Sequence, residues 1–265
     1  MMRKWLKILL WSLLPIGLVV GGIVANKVHQ NRLVKGLNIE IAYEDGTENN
    51  RFITIADLNK FIRKRHDKIE SKKLNEISIE KLEKELISIP YIKTADVYTS
   101  MNAEIQVRVK QRKAIVRVYD QLNDEYYLDS EGQIMPTRLS YPAKVLICNG
   151  LIPSIGYMHK KLNPHQLDSL VQHSILKDVY LMASYIEADT LLSVQIAQMY
   201  IDAKGEFALV PLVGNHVISF GKAVDIDEKF NKLKLFYQEG LGHHRWNNYK
   251  EINLKYKNQI VCTKI

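Results

Sequence analysis

The 265-residue chain carries 37 basic and 29 acidic side chains, a net charge of +8 with histidines neutral, and 46% hydrophobic residues. That balance is ordinary for a globular protein long enough to bury cores without metal or disulfide staples, and it excludes a low-complexity or disordered polypeptide. Basic residues interleave with acids, as in RKRHDKIESKK and EKLEKEL, and no recognised nucleic-acid module occurs, so a nucleic-acid partner is not expected.

The chain opens on MMRKWLKILLWSLLPIGLVVGGIVANK, in which Arg3, Lys4 and Lys7 precede eighteen uncharged residues from Ile8 to Ala25. At a helical rise these span roughly 27 Å, near the hydrocarbon thickness of a bilayer. Trp5 and Trp11 lie near one interface, and Pro15 with Gly21-Gly22 is tolerable in lipid. A cleaved signal peptide is the competing reading, but Ile23-Val24-Ala25 makes a poor cleavage site and the run is long for a signal core. The expectation is an uncleaved single-pass anchor over residues 1–35, cytoplasmic at its N-terminus, with the remainder exported.

From residue 36 the pattern is that of an α+β module. In GLNIEIAY, Leu37, Ile39 and Ile41 alternate with polar residues as in a half-buried strand. TIADLNKFIRK and SIEKLEKELISIP each set one apolar stripe at helical spacing, with Thr54 and Ser78 as N-caps. Pro90 forces the second helix to finish by Ile89. A strand with Ala95 and Val97 on one side follows at once, then a turn at SMN and a strand alternating Ile105, Val107 and Val109. Strand, helix, helix, strand, strand over residues 36–112 is a small domain in which two helices cover one sheet face.

Residues 113–265 read as β-rich. AIVRVYD is a strand, and EYYLDSEGQIMP is a hairpin turning at Asp129-Ser130-Glu131-Gly132. AKVLICNG is apolar enough to predict burial on both faces. A helix begins at LNPHQL, capped by Asn163, with Pro164 first, Gln166 closing a capping box and Leu162 stapled onto Leu167. Its stripe runs through Leu170, Val171, Ile175, Val179, Met182 and Ile186. SVQIAQMYID, EFALVPLV and HVISFG are strands. DIDEKFNKLKLFYQEG is a helix capped by Asp225 or Asp227 and ended by Gly240, and YKEINLKYKNQIVCTKI closes the chain as a strand.

Nothing here asks for catalysis. Ser78-Ile79-Glu80-Lys81 and Ser174-Ile175-Leu176-Lys177 fit the serine–lysine spacing of penicillin-recognising enzymes, yet neither SDN nor KTG accompanies them, and Ser78 is better read as a cap. His243-His244 has no carboxylate or histidine at metal-ligand spacing, so no metal or cofactor is expected. Cys148 and Cys262 are either one bridge or two buried thiols. The final strand is the more informative element. At a sheet edge its free N–H and C=O groups could accept another chain, and Lys250, Lys255 and Lys257 suit such an edge, or merely keep it soluble.

The order of these features resembles the FtsQ/DivIB cell-division proteins, in a Bacteroidota-like form, over essentially the whole chain. ISIEKLEKELISIPYIKTADVYTSMNAEIQVRVKQRKAIVRVYD is similar to the family's POTRA domain and its passage into the β-domain. EYYLDSEGQIMP is similar to its YLD–G–MP stretch, and EINLKYKNQIV to its closing strand. One departure is Ala114, where the family often has proline. The resemblance implies a non-enzymatic scaffold at the septum of the inner membrane that binds FtsB- and FtsL-like single-span proteins in the periplasm and helps regulate peptidoglycan synthesis. It also implies that Ile252, Asn253, Leu254, Lys255 and Tyr256 accept the partner by strand addition. A POTRA-containing component of polypeptide transport is the alternative, though such proteins usually carry repeated modules and a barrel, and the β-rich half lacks lipid-facing alternations.

Overall fold

Each apolar stripe of the first half finds a sheet face to cover. The computed structural model describes residues 2–43, 50–67, 69–138, 142–155, 175–241 and 246–265, the side chains of residues 2–15, 240 and 241 excepted. The chain forms two units, Met1–Gly46 with Ile53–Gln111, and Thr47–Phe52 with Arg112–Ile265.

In the first unit, helix α1 (Met2–Gln30) leads to strand β1 (Gly36–Tyr43), helices α2 (Ile55–Arg65) and α3 (Ile79–Ile87), and strands β2 (Ile92–Thr99) and β3 (Glu104–Gln111). The strand order is β1-β3-β2, with β1 parallel and β2 antiparallel to β3. Thr54 closes a full capping box with Asp57, and the Ser78 hydroxyl accepts from the Lys81 N–H at 3.3 Å. These satisfy orphan N–H groups, about 1 kcal/mol each. Helix α3 stops two residues earlier than Ile89: Ser88 is its C-cap, and the chain turns through Pro90 into β2. Leu58, Ile62, Leu82 and Leu86 are fully buried against Ile105, Val107 and Val109. Among the described residues no helix is long and apolar enough to cross a membrane. The expected span Ile8–Ala25 lies within α1, but its first half falls among the side chains left undescribed. Beyond that point Ile16, Leu18, Val19, Val20, Ile23 and Val24 are all exposed.

The second unit contains strands β4 (Ala114–Tyr119), β5 (Glu125–Asp129), β6 (Ile134–Pro136) and β7 (Leu146–Gly150), then helices α4 (Ile175–Ala188) and α5 (Thr190–Gln195). Strands β8 (Ile196–Ile201), β9 (Phe207–Pro211) and β10 (Val217–Gly221), helix α6 (Ile226–Leu235), and strands β11 (Tyr249–Asn253) and β12 (Val261–Lys264) complete it. They make one sheet in the order β12-β11-β10-β9-β8-β7-β4-β5-β6. Helices α4, α5 and α6 bury Val179, Met182, Ile186, Leu192, Phe230 and Leu233 on one face, against Val118, Met199, Leu209 and Phe220.

Three connections repeat one turn. Asp120, Asp129 and Asp202 each accept, through Oδ1, the N–H groups two and four residues on. The residue three positions on adopts a left-handed conformation: Asn123 at φ 60°, Gly132 at 78° and Gly205 at 66°. An aspartate that folds its side chain onto its own backbone supplies this geometry without tertiary help.

Several expectations are corrected. The stretch AKVLICNG is not buried on both faces: β7 covers only Leu146–Gly150, and Ile147 is 37% exposed because the face away from the helices is open. Ser193 to Gln195, expected as strand, belong to α5, where the Asp189 carboxylate caps the N–H groups of Leu191 and Leu192. Asp225 holds the N-cap position of α6 with φ 52°, but its side chain makes no capping bond. That helix runs into a π-helical turn, Phe236–Leu241, so Gly240 lies inside a turn instead of terminating α6. The caps and staple at Leu162, Asn163, Pro164, Gln166 and Leu167, with Leu170 and Val171, lie outside the described residues.

Candidate functional site

The closing residues form two strands, not one. Strand β11 is held on both sides, parallel to β10 through Ile218↔Ile252 and Ser219↔Asn253, and antiparallel to β12 through Ile252↔Cys262 and Asn253↔Val261. Ile252 and Leu254 are fully buried, and the Leu254 N–H still donates to the Ser219 carbonyl at 2.9 Å. The expectation that Ile252–Tyr256 form the open border is therefore corrected for its geometry. Ile252 and Asn253 sit in an interior strand, Leu254 in the core, and Lys255 and Tyr256 in the connection that follows. Alternation of Ile252 and Leu254 marks a strand with one buried face; it carries no information about how many neighbours the strand has.

The sheet border at this end is β12. Its one strand neighbour among the described residues is β11, so its outward N–H and C=O groups have no strand to pair with. Val261 is 44% and Ile265 79% exposed, and Thr263 and Lys264 are exposed as well. Cys262 is half-buried, and burial pushes its thiol pKa up. The other border, β6, is a poorer acceptor: Ile134 and Met135 are buried and Pro136 lacks an N–H.

The hairpin between β11 and β12 is tied down at several points. Asn258 turns it at φ 60°. The Lys232 ammonium donates to the Tyr256 carbonyl at 2.8 Å, and the Lys255 N–H to Asn253 Oδ1 at 3.0 Å. Lys255 also pairs with Glu206 at 3.1 Å, and that hydrogen bond raises its pKa. Beside the hairpin lies a groove of about 360 Å³ lined by Leu235, Phe236, Glu239, Gln259 and Ile260 among others. The arrangement offers an extended backbone flanked by an apolar recess. Sequence reasoning merged β12 with the strand before it; Lys257-Asn258-Gln259, a polar run with a residue that tolerates left-handed geometry, was the signal for the turn.

Among the described residues the other candidates form no reactive centre. The Ser78 hydroxyl is engaged as a helix cap, while Ser174, His243 and His244 lie outside the described residues. No group of three or more metal-ligating side chains comes together among the described residues.

Two family models match the chain. One, described as FtsQ/DivIB, C-terminal related, covers residues 113–263. The other, a POTRA-like domain, covers residues 33–110. No curated protein matches the chain.

Proposed function

The chain belongs to the FtsQ/DivIB-like family, whose domains point to a role in cell division, and from that premise we propose that it is a non-enzymatic divisome scaffold that captures a partner at β12. The observation that carries this reading is the outer border of β12, which has no strand neighbour among the described residues, next to an apolar groove at Leu235, Phe236 and Ile260. A partner segment that lies antiparallel or parallel to Val261–Lys264 completes the backbone ladder, and an apolar side chain beside that segment fills the recess. The partner expected is an FtsB- or FtsL-like single-span protein. The chain recruits it in the periplasm, tethered by α1, whose exposed apolar residues from Ile16 to Val24 suit a lipid surround.

Backbone recognition makes a distinctive demand. Removing Val261–Ile265 abolishes co-purification of the partner, whereas Thr263→Ala, which alters a side chain and keeps the ladder, retains it. Thermal unfolding checks that the shortened chain keeps the core built on Ile252 and Leu254. Retained partner capture by the folded, shortened chain overturns the reading.

A further inference from the structure

The first unit meets α1 at the end of its sheet where β1 and β3 begin and β2 finishes, since Gly36 is in register with Glu104, and Thr99 with Ile105. Three pieces of chain are held together there. The Val34 N–H donates to the Lys72 carbonyl at 3.0 Å, the Leu74 N–H to the Arg32 carbonyl at 3.0 Å, and the Lys35 N–H to the Ala103 carbonyl at 2.9 Å. Asn75 Nδ2 donates to Oδ1 of Asn31, the residue that follows α1, at 3.2 Å. These bonds join the exit from α1, the short 3-10 turns Ile69–Ser71 and Leu74–Glu76, and the turn between β2 and β3 into one surface.

The surface is basic and carries two bare apolar tips. Lys27, Arg32, Lys35 and Lys73 are exposed and Lys72 is half-buried. None of these five forms an ion pair among the described residues; the pairs of the unit are made elsewhere, by Arg63 with Glu70, His66 with Glu85, Lys84 with Glu80 and Arg108 with Glu40. The acids nearby are already engaged: Glu70 by Arg63, Glu76 by the Lys73 N–H at 3.2 Å, and Glu104 by Gln106 Nε2 at 3.3 Å. Between the cations, Leu33 is 56% and Met101 86% exposed. Cations without counter-charges repel one another, and apolar side chains in water forgo their burial energy. An anionic interface with an apolar layer beneath it relieves both at once.

Distance along α1 selects that occupant. From Ala25, the end of the apolar run, to Gln30, the end of α1, the helix rises about 7.5 Å, and the headgroup layer outside the hydrocarbon is roughly 5–8 Å deep. With the run up to Ala25 in lipid, Arg32, Leu33 and the turns bonded to them stand at headgroup level, and no linker lifts them away. We propose that this end of the first unit lies on the bilayer, its five basic side chains over anionic phospholipid headgroups and Leu33 and Met101 inserted among them. The proposal rests on the reading of α1 as a lipid anchor; it adds that the POTRA-like unit is held against the membrane instead of swinging below it.

Photo-crosslinking of the full chain in nanodiscs tests the assignment, with phosphatidylcholine alone or mixed with phosphatidylglycerol. Benzoylphenylalanine replaces Met101, Val20 in α1, or Ile87, an exposed residue at the end of α3 and so beyond the opposite end of β2. Lipid adducts are counted by mass spectrometry after irradiation. Val20 is expected to give adducts in both discs and Ile87 few in either, while Met101 gives about fivefold more once phosphatidylglycerol is present. Combining Lys72→Gln with Lys73→Gln lowers the Met101 yield about fivefold or more, the influence of one or two basic residues at an anionic surface. An unchanged melting temperature confirms that this variant folds; Lys35→Gln, at an exposed position, shows a smaller loss and serves if it does not. Adducts at Val20 with none at Met101, equal Met101 yields in the two discs, adducts at Ile87 as frequent as at Met101, or a yield insensitive to all three substitutions overturns the proposal and leaves the anchor standing. Absence of adducts at Val20 overturns the anchor and the proposal together.

Discussion

Arg112 Nη1 lies 2.7 Å from Asp129 Oδ2, and the carboxylate it meets is 1% exposed. The pair joins the residue that follows β3 to the turn after β5, where Asp129 Oδ1 already accepts from Glu131 and Gln133. Burial raises the Asp129 pKa, while the hydrogen bond and charge of Arg112 oppose that rise. Replacing Arg112 with methionine leaves a buried carboxylate with only backbone donors, a loss on the order of 3–5 kcal/mol. The sign with pH follows from linkage. Without Arg112 the folded-state pKa climbs further above its unfolded value, so the folded state takes up the proton first as pH falls. Urea unfolding of Arg112→Met should show its largest deficit at neutral pH and a shrinking one in acid. A deficit constant with pH would falsify this account.

Gly150 ends β7 at φ 111°, and a Cβ placed there would stand 2.3 Å from the Ile201 carbonyl oxygen. Both conditions select glycine: the conformation is one that L side chains rarely adopt, and the obstacle is neighbouring backbone in β8, which cannot rotate away. Gly150→Ala must push β7 and β8 apart at the point where they pair. The expected destabilisation is roughly 2–4 kcal/mol, at the high end for a single methyl group. A melting temperature within a degree of the parent would show that the two strands separate easily.

His216 couples three parts of the β-rich unit. It precedes β10, is 2% exposed, places Nε2 3.2 Å from the Tyr237 hydroxyl of the π-helical turn, and stacks on Trp246 ahead of β11. Burial holds its pKa below the ordinary 6.5. The unfolded chain therefore binds the proton more readily, and stability present above pH 6.5 is lost as pH falls below it. His216→Gln, which cannot titrate, removes that slope. Parallel pH profiles of the two proteins between neutral and mildly acidic pH would contradict the assignment of the slope to His216.

Local chemistry made much of this fold legible. Pro90 marks the end of α3, Gly132 marks the turn after β5, and the alternation of Ile105, Val107 and Val109 marks the buried face of β3. Each follows from a constraint acting within a few residues. What stayed hidden depends on neighbours far along the chain. The pleat and periodicity of β11, enclosed by β10 and β12, are those of a border strand as well, and only the turn at Lys257-Asn258-Gln259 hints at its second neighbour. The open face at Ile147 was equally hidden, since a run of apolar residues does not reveal that helices cover only one side. The Asn149–Gln198 pair unites positions 49 residues apart through strand register, which no motif encodes.

The cysteines give a test of the sheet order as a whole. Cys148 is in β7 and Cys262 in β12, with β8, β9, β10 and β11 between them. Five inter-strand steps at about 4.8 Å put them roughly 24 Å apart. A disulfide needs Cα atoms within about 7 Å, so the one-bridge alternative is closed by geometry and both thiols are free within a single chain. Burial alone pushes both thiol pKa values up, with Cys148 fully buried and Cys262 half-buried on the border strand. Alkylation of the folded protein should therefore modify Cys262 slowly and Cys148 only after denaturation, and two thiols should be counted in denaturant without reductant. Capture of the proposed partner at β12 covers Cys262 and slows its alkylation further, leaving Cys148 unaffected. Recovery of a peptide pair linked through Cys148 and Cys262 of one chain would require a different strand order from the one described.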